Sequence, residues 1–306
     1  MITATSMLYL YVETPLHAGA GSGLSSIDLP IQRERTTQYP MIQGSGIKGK
    51  LRATAEDTIK DAALLSAIFG PDSRTGDTSD YAGALIAGDA RILLFPVRSL
   101  SGVFAYTTSC DVLARFKRDF ERGQTENDLP WNVPARPVTN NALITTTSEV
   151  QAYKTLVLEE FSFDAQVESQ VDSIAGWLVE HALPDLNAGD YWSNKVKNAL
   201  VILPENDFRD FALYATEVIT RVRIDRTTKT VEGGALWTEE YLPTDTLLYV
   251  PIYATNARKN GKDGIRLSGK EILDAVKPLG AGKGSYLQLG GDETVGRGIV
   301  RIRWQD

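Results

Sequence analysis

The sequence predicts a mixed α+β fold, and three observations carry the prediction. Short apolar runs alternate at both ends of the chain, with Leu8, Leu10 and Val12 near the start and Ile299 to Trp304 at the close. Stripes at helical spacing lie between them, in Leu51, Ala55 and Ile59 and again in Val171, Ile174 and Leu178. Long polar insertions separate these segments, which suits an elaborated α+β body better than a doubly wound parallel sheet. With no internal repeat and no low-complexity linker, 1–306 reads as one domain.

Met7 to Glu13 alternates as a strand that Pro15 ends. Gly19, Gly21 and Gly23, with Ser22, Ser25 and Ser26, favour a flexible loop holding His17 and Asp28. Pro40 and a Gly44-Ser45-Gly46 turn precede a helix from about Ile47 to Ala63. Gly70 to Ala82 is a polar loop, Ala84 to Val97 and Val103 to Thr108 carry strand-like runs, and Asp111 to Arg122 reads as a helix. Thr125 to Thr147 is rich in Pro and Asn and irregular. Leu156 to Phe163 is a strand, and Val167 to Ala182 is an amphipathic helix with His181 at its core or boundary. Leu200 to Leu203 is a buried strand and Asn206 to Tyr214 a short helix.

Val218 to Asp225 and Leu236 to Tyr241 alternate around a threonine-rich tip. Arg221, Arg223, Arg226 and Lys229 make this hairpin basic, too polar to bury both faces, so it should project. Leu247 to Ala254 is a further strand, Arg258 to Arg266 a basic loop and Ser268 to Val276 a helix. Tyr286 to Leu289 then leads through GGDETVGRG to the last strand, Ile299 to Trp304.

The chain carries a net charge of −7 and one cysteine, Cys110, which excludes an intrachain disulfide and a cysteine-built zinc site. No apolar run approaches the roughly 20 residues that span a bilayer, and the N-terminus lacks a signal-peptide pattern, so the expected setting is the cytoplasm. The acidic balance argues against general nucleic-acid affinity, but local sign decides binding. Between Ile31 and Arg52, Arg33, Arg35, Lys48, Lys50 and Arg52 face the single anion Glu34. Cations in the first turns of a helix oppose its dipole, a conflict that a docked anion relieves.

Gly44 to Lys50 matches the G-x-x-x-x-G-K of a phosphate-binding loop. However, Leu51 stands where Ser or Thr should ligate Mg²⁺, and no central strand precedes it. Nucleotide hydrolysis is the competing function of that turn, separable by an ATPase assay. His17 reads equally as a loop histidine or a functional imidazole, and Asp28 as an Asx-turn residue or a reactive carboxylate. Glu239 and Glu240, beside Trp237 and Tyr241, read as solvated strand carboxylates or site groups. No His/Asp/Glu spacing marks a preformed metal cage, and GGDETVGRG is too irregular for a dinucleotide fingerprint.

Taken together, VETPLHAGAGSGLSSIDLPIQRE, GSGIKGKLR, GALWTEEYLP and LGGDETVGRGIVRIRW resemble the Cmr4 family. These are the Cas7-type RAMP backbone subunits of type III-B CRISPR–Cas effector complexes. The resemblance spans essentially the whole chain in order. It implies an RRM-like (ferredoxin-like) palm with inserted subdomains and a β-hairpin thumb, here about 219–242. It also implies copies of the chain stacked in a helical filament on a guide crRNA, alongside Cmr2, Cmr3, Cmr5 and Cmr6, with no membrane partner. Target RNA is then cut at regular intervals with a divalent metal ion, Mg²⁺ or Mn²⁺.

By the same resemblance the key acid falls on Asp28, which is also the candidate metal ligand, with His17 and Glu239 or Glu240 beside it. The guide-gripping motif S-x-x-K-G-x-x-R falls on Ser45, Lys48, Gly49 and Arg52, with Gly46 where relatives often carry Ser. Lys50, Arg33, Gly291 and Arg297 join that guide-binding set, and Arg221, Arg223, Arg226 and Lys229 the thumb. One subunit must hold any guide sequence, so such contacts should go to the RNA backbone. An Asp with an ordinary pKa near 3.9 is a poor base at neutral pH, which favours metal ligation or positioning. A non-catalytic backbone subunit and a related type III-A subunit are the alternatives.

Overall fold

Ala4–Val12 form the first strand, β1, and from Met7 onward every residue of it is buried. Successive strand side chains point to opposite faces, so burial throughout requires cover on both. The computed structural model describes residues 1–23, 26–71, 82–122, 129–186, 189–258, 266–279 and 285–305. Ser25, most of the polar loop (72–81), the start of the irregular stretch (125–128) and most of the basic loop (259–265) lie outside the described residues.

After β1 come β2 (Met41–Ile42), α1 (Gly44–Thr58), α2 (Ala62–Phe69), β3 (Leu85–Ala87), β4 (Ala90–Arg98), β5 (Phe104–Ser109) and α3 (Cys110–Glu121). Next are β6 (Asn141–Ile144), β7 (Gln151–Ala152), β8 (Thr155–Leu158), β9 (Phe161–Val167), α4 (Ser169–His181), α5 (Tyr191–Ala199), β10 (Leu200–Leu203) and α6 (Glu205–Tyr214). The chain closes with β11 (Glu217–Ile224), β12 (Val231–Tyr241), β13 (Leu247–Ala254), α7 (Gly269–Val276), β14 (Tyr286–Gln288) and β15 (Ile299–Trp304).

Among the described residues thirteen strands share one sheet in the order β14-β15-β1-β13-β4-β5-β10-β6-β9-β8-β7, with β2 on β4 and β3 on β13. β1 runs antiparallel to β13 and β15, and β13 antiparallel to β4. The path β1-α1-β4, then β13-α7-β15, with spatial order β15-β1-β13-β4, is the ferredoxin-like arrangement. The elements from β5 to β12 are inserted between its second and third strands, and the sheet continues into them. Helix α7 packs on β1 and β13, and α3 on β4, β5 and β13. Phe116 of α3 centres the aromatic core, with ring centroids 6.3 Å from Tyr9, 5.7 Å from Trp177 and 5.1 Å from Tyr249. Among the described residues no helix is long and apolar enough to cross a membrane.

Local chemistry explains where the elements depart from expectation. The helix expected over 47–63 is two helices, because Asp61 starts a second one, accepting from the amides of Ala63 at 2.9 Å and Leu64 at 3.2 Å. The strand expected over 156–163 is a hairpin, β8–β9, turning at Glu159 with φ +49°. β6 is a strand inside the stretch expected to be irregular, and α5 was not anticipated. His181 is a boundary residue, half-exposed and 4.9 Å from the Trp177 ring. Among the described residues β11 and β12 form a separate two-stranded sheet, and β12 starts earlier than its alternation suggested.

Candidate cleavage site and RNA-facing surfaces

The glycine loop after β1 is laid along the base of the β11–β12 hairpin rather than hanging free. Leu16 bridges to Leu242, Gly19 to Ile31 and Leu29 to Glu239. Leu29 donates its amide to the Thr238 carbonyl at 3.0 Å and accepts from the Glu240 amide at 3.0 Å. This fixes Asp28 beside Thr238. The exposed Asp28 carboxylate accepts through Oδ2 from the Thr238 amide at 2.8 Å and the Thr238 hydroxyl at 3.0 Å. The Asp28 amide donates to the same hydroxyl at 3.0 Å. These bonds, the Thr238 amide foremost, hold the Asp28 carboxyl below the ordinary aspartate range.

His17 lies further along β12, against Glu240. Its Nδ1 lies 2.7 Å from the Glu240 carbonyl. A carbonyl can only accept, so this contact places a ring proton on Nδ1. The His17 carbonyl accepts the Gly291 amide at 2.9 Å. The terminal loop approaches so closely that a Cβ on Gly290, at φ +77°, would lie 2.2 Å from that carbonyl oxygen. A glycine is required there.

Trp237, Glu239 and Tyr241 alternate with Thr238 and Glu240 along β12, so the two sets face opposite ways. Glu239 accepts from Trp237 Nε1 at 2.7 Å, from Arg221 Nε at 2.9 Å and from the Tyr241 hydroxyl. That hydroxyl also lies 2.7 Å from Asp292 Oδ2 and receives Arg221 Nη2 at 2.6 Å. Burial opposes the charge on Glu239, but the donors from Tyr241, Trp237 and Arg221 outweigh it and hold the carboxyl below its usual range. The Tyr241 ring lies 5.6 Å from the His17 ring, tilted against it, and 5.1 Å from the Arg297 guanidinium. Arg297 therefore joins the His17–Tyr241 group, and Arg221 turns inward at the hairpin base.

Glu239 and Glu240 are not solvated strand carboxylates; they are 6% and 2% exposed. Glu240 is bound by Arg33 Nη2 at 2.5 Å, by the Thr216 hydroxyl at 2.8 Å and by the Ile31 amide at 3.0 Å. Arg33, assigned to the guide-binding set on sequence, also donates Nη1 to the carbonyls of Gln38 at 2.8 Å and Ala212 at 2.9 Å. Its guanidinium is spent inside the fold, which corrects that assignment.

The second surface is the start of α1. Gly44 is already helical, and its amide donates to Asp89 Oδ1 at 2.8 Å. A carboxylate of the chain itself thus occupies the first amide, and no phosphate-cradling loop precedes the helix. Ile47, Leu51 and Ala55 form the buried face of α1, while Ser45, Gly46 and Gly49 are exposed. Ser45, Lys48, Gly49 and Arg52 share one face at helical spacing, and Lys50, half-buried, projects from another side of the helix. Burial, then the nearby cations Arg52 and Arg258, push the Lys48 ammonium below the ordinary lysine range. Arg258 thus extends the cluster beyond the motif. Arg52 is partly committed, to Glu56 at 3.0 Å and to the carbonyls of Gly70 at 3.2 Å and Pro71 at 3.3 Å.

On the hairpin, Arg226 and Lys229 are exposed at the tip, and Arg223 lies 3.7 Å from Glu232. The paired residues Val222 and Leu236 are exposed as well. Among the described residues no group of three His, Cys, Asp or Glu side chains could cage a metal ion. The exposed Asp28 carboxylate is the kind of ligand a hard cation such as Mg²⁺ takes, since such an ion binds through one or two carboxylates and completes its shell with substrate phosphates and water. Sequence reasoning missed Thr238, Tyr241 and Asp292. The alternation of 237–241 was the available signal, since it places Thr238 and Glu240 on the side opposite Glu239 and Tyr241.

The model of the RAMP superfamily matches residues 9–301. The CRISPR system Cmr endoribonuclease Cmr4 of Pyrococcus furiosus is 40% identical over 296 residues, covering 96% of this chain and 93% of that protein. A crystal structure of oligomeric Cmr4 from Pyrococcus furiosus superposes with a TM-score of 0.72 at 33% identity, covering 99% of this chain and 98% of that one. A chain of the type III-B Cmr-beta complex bound to cognate target RNA has the same fold, with a TM-score of 0.70 at 22% identity over 99% of this chain and 98% of that one. The chain belongs to the RAMP superfamily and, within it, to the Cmr4 family of CRISPR systems.

Proposed function

We propose that this chain is a crRNA-binding backbone subunit of a type III-B effector complex and that it cuts target RNA with Asp28 as the key residue. One observation carries the catalytic part. An exposed carboxylate is held ionised by Thr238 beside the base of a projecting hairpin. Ser45, Lys48, Gly49 and Arg52 supply sequence-independent contacts to the guide phosphates, and Arg258 adds a cation to them. Further copies of the chain and the other Cmr subunits are its partners in the complex. The hairpin serves as the thumb, its exposed Val222–Leu236 pair packing on base faces and Arg226 and Lys229 meeting phosphates.

A nucleotide wedged out of the stack leaves A-form geometry, and its 2′-hydroxyl can align with the adjacent phosphorus. Attack forms the O2′–P bond and breaks the P–O5′ bond, leaving a cyclic phosphate and a 5′-hydroxyl. Asp28, ionised at neutral pH with a lowered affinity for protons, orients the reacting group rather than acting as the base. His17 Nε2 is the group that takes the 2′-proton and returns it to the leaving 5′-oxygen. A divalent ion bound by Asp28 and RNA oxygens would stabilise charge developing on the phosphoryl oxygens.

The test is cleavage of labelled target RNA by the reconstituted complex, with and without EDTA, comparing wild type and Asp28→Asn. A regular ladder that disappears with EDTA and with Asp28→Asn is expected. An unchanged ladder from the Asp28→Asn complex contradicts the proposal.

A further inference from the structure

We infer that Thr238 is a positioning residue for cleavage, clamping the Asp28 carboxylate in one direction through its hydroxyl and amide. This rests on the proposed role of Asp28. Three hydrogen bonds close a small ring between the two residues. The Asp28 amide meets Thr238 Oγ1 at 3.0 Å, and Thr238 Oγ1 and the Thr238 amide meet Asp28 Oδ2 at 3.0 and 2.8 Å. The hydroxyl accepts from one end of Asp28 and donates to the other, which uses its single proton and one lone pair.

An exposed aspartate in a glycine-rich loop otherwise rotates among its side-chain rotamers and presents either oxygen. Here Oδ2 is engaged twice, which fixes the direction of the carboxylate. The adjacent residue is fixed as well, Leu29 donating to the Thr238 carbonyl at 3.0 Å, so the loop cannot slide along β12. Thr238 belongs to the strand that runs out to the hairpin tip. The clamp therefore registers the carboxylate on the element proposed to wedge the RNA, not on the central sheet.

Thr238→Val keeps the β-branched shape and the backbone amide bond while deleting the hydroxyl, at a partly exposed site on a strand. Complexes carrying Thr238→Val, Thr238→Ser, Asp28→Asn and Thr238→Val with Asp28→Asn are compared with wild type under single turnover. Thr238→Val should lower the saturating cleavage rate by about tenfold, the scale of one hydrogen bond to a charged group, with target affinity and cut spacing unchanged. Thr238→Ser should restore the rate to within about threefold. The double variant should be no slower than Asp28→Asn alone, because the hydroxyl acts through the carboxylate.

A wild-type rate for Thr238→Val, with Asp28→Asn inactive, overturns the clamp and leaves the role of Asp28 standing. A wild-type rate for Asp28→Asn overturns the underlying reading instead. Loss of assembly or of target binding in Thr238→Val, or failure of the Ser variant to recover, shows a structural role and also overturns the clamp.

Discussion

Arg33→Ala separates a cation that holds the fold together from one that holds RNA. Its guanidinium meets Glu240 at 2.5 Å, with the two side chains 12% and 3% exposed. Removing it leaves a buried carboxylate with two remaining donors, the Thr216 hydroxyl at 2.8 Å and the Ile31 amide at 3.0 Å. It also strips a donor from the carbonyls of Gln38 and Ala212. Breaking a buried pair by deleting one partner costs about 3–5 kcal/mol, and the surviving donors put this site at the lower end, about 3 kcal/mol. For a chain of this size that is a fall in Tm of roughly 5 °C. Adding Glu240→Gln should recover part of the loss, because the unpaired charge is then gone. Urea denaturation of the purified chain measures the cost, and filter binding to guide RNA across salt concentrations measures the alternative. A loss under about 1 kcal/mol, together with weaker and less salt-dependent RNA binding, would refute the internal role of Arg33.

Lys48→Ala should weaken guide binding for all sequences alike and reduce the slope of log K against log salt by about 0.7, the value for one phosphate on a single strand. Filter binding with unrelated guides checks both parts. Gly290→Ala places a methyl 2.2 Å from the His17 carbonyl at a positive φ, so it should detach the terminal loop. Cleavage should fall at least tenfold (about one charge-assisted contact) while guide affinity holds, read by cleavage and binding on the same complexes. The folded Glu239 carboxyl is depressed, so its contribution to stability is present above the unfolded value near 4.3 and is lost as pH falls through the folded value. Glu239→Gln should therefore flatten the acid side of the stability curve below about pH 4.3, measured by urea midpoints against pH.

Much of the fold was legible in the sequence because burial leaves a period. The stripe of Leu51 and Ala55 marked α1 directly, whereas β1, buried on both faces, was marked by a continuous apolar and aromatic run from Met7 to Val12. The break before α2 was hidden, since it depends on Asp61 capping amides two and three residues on. The site was legible as a set of segments but not as a geometry. The TPLH histidine, Asp28 and the 237–241 strand were all in view, yet nothing local says that Leu29 pairs with Glu239. Arg33 shows the limit most clearly. Beside Arg35 it looks like part of a basic strip, and only the long-range contact with Glu240 reveals where its charge goes.

The central claim is that the Asp28 carboxylate does the cutting while other groups hold the RNA. The most direct measurement is the single-turnover cleavage rate of fully assembled Asp28→Asn complexes at saturating complex, with the target dissociation constant measured on the same preparation. A rate reduced by at least about 10²-fold with an unchanged dissociation constant is predicted, the span expected for loss of a positioned catalytic group. A rate within a few-fold of wild type, or a loss explained by weakened target binding, would contradict the account.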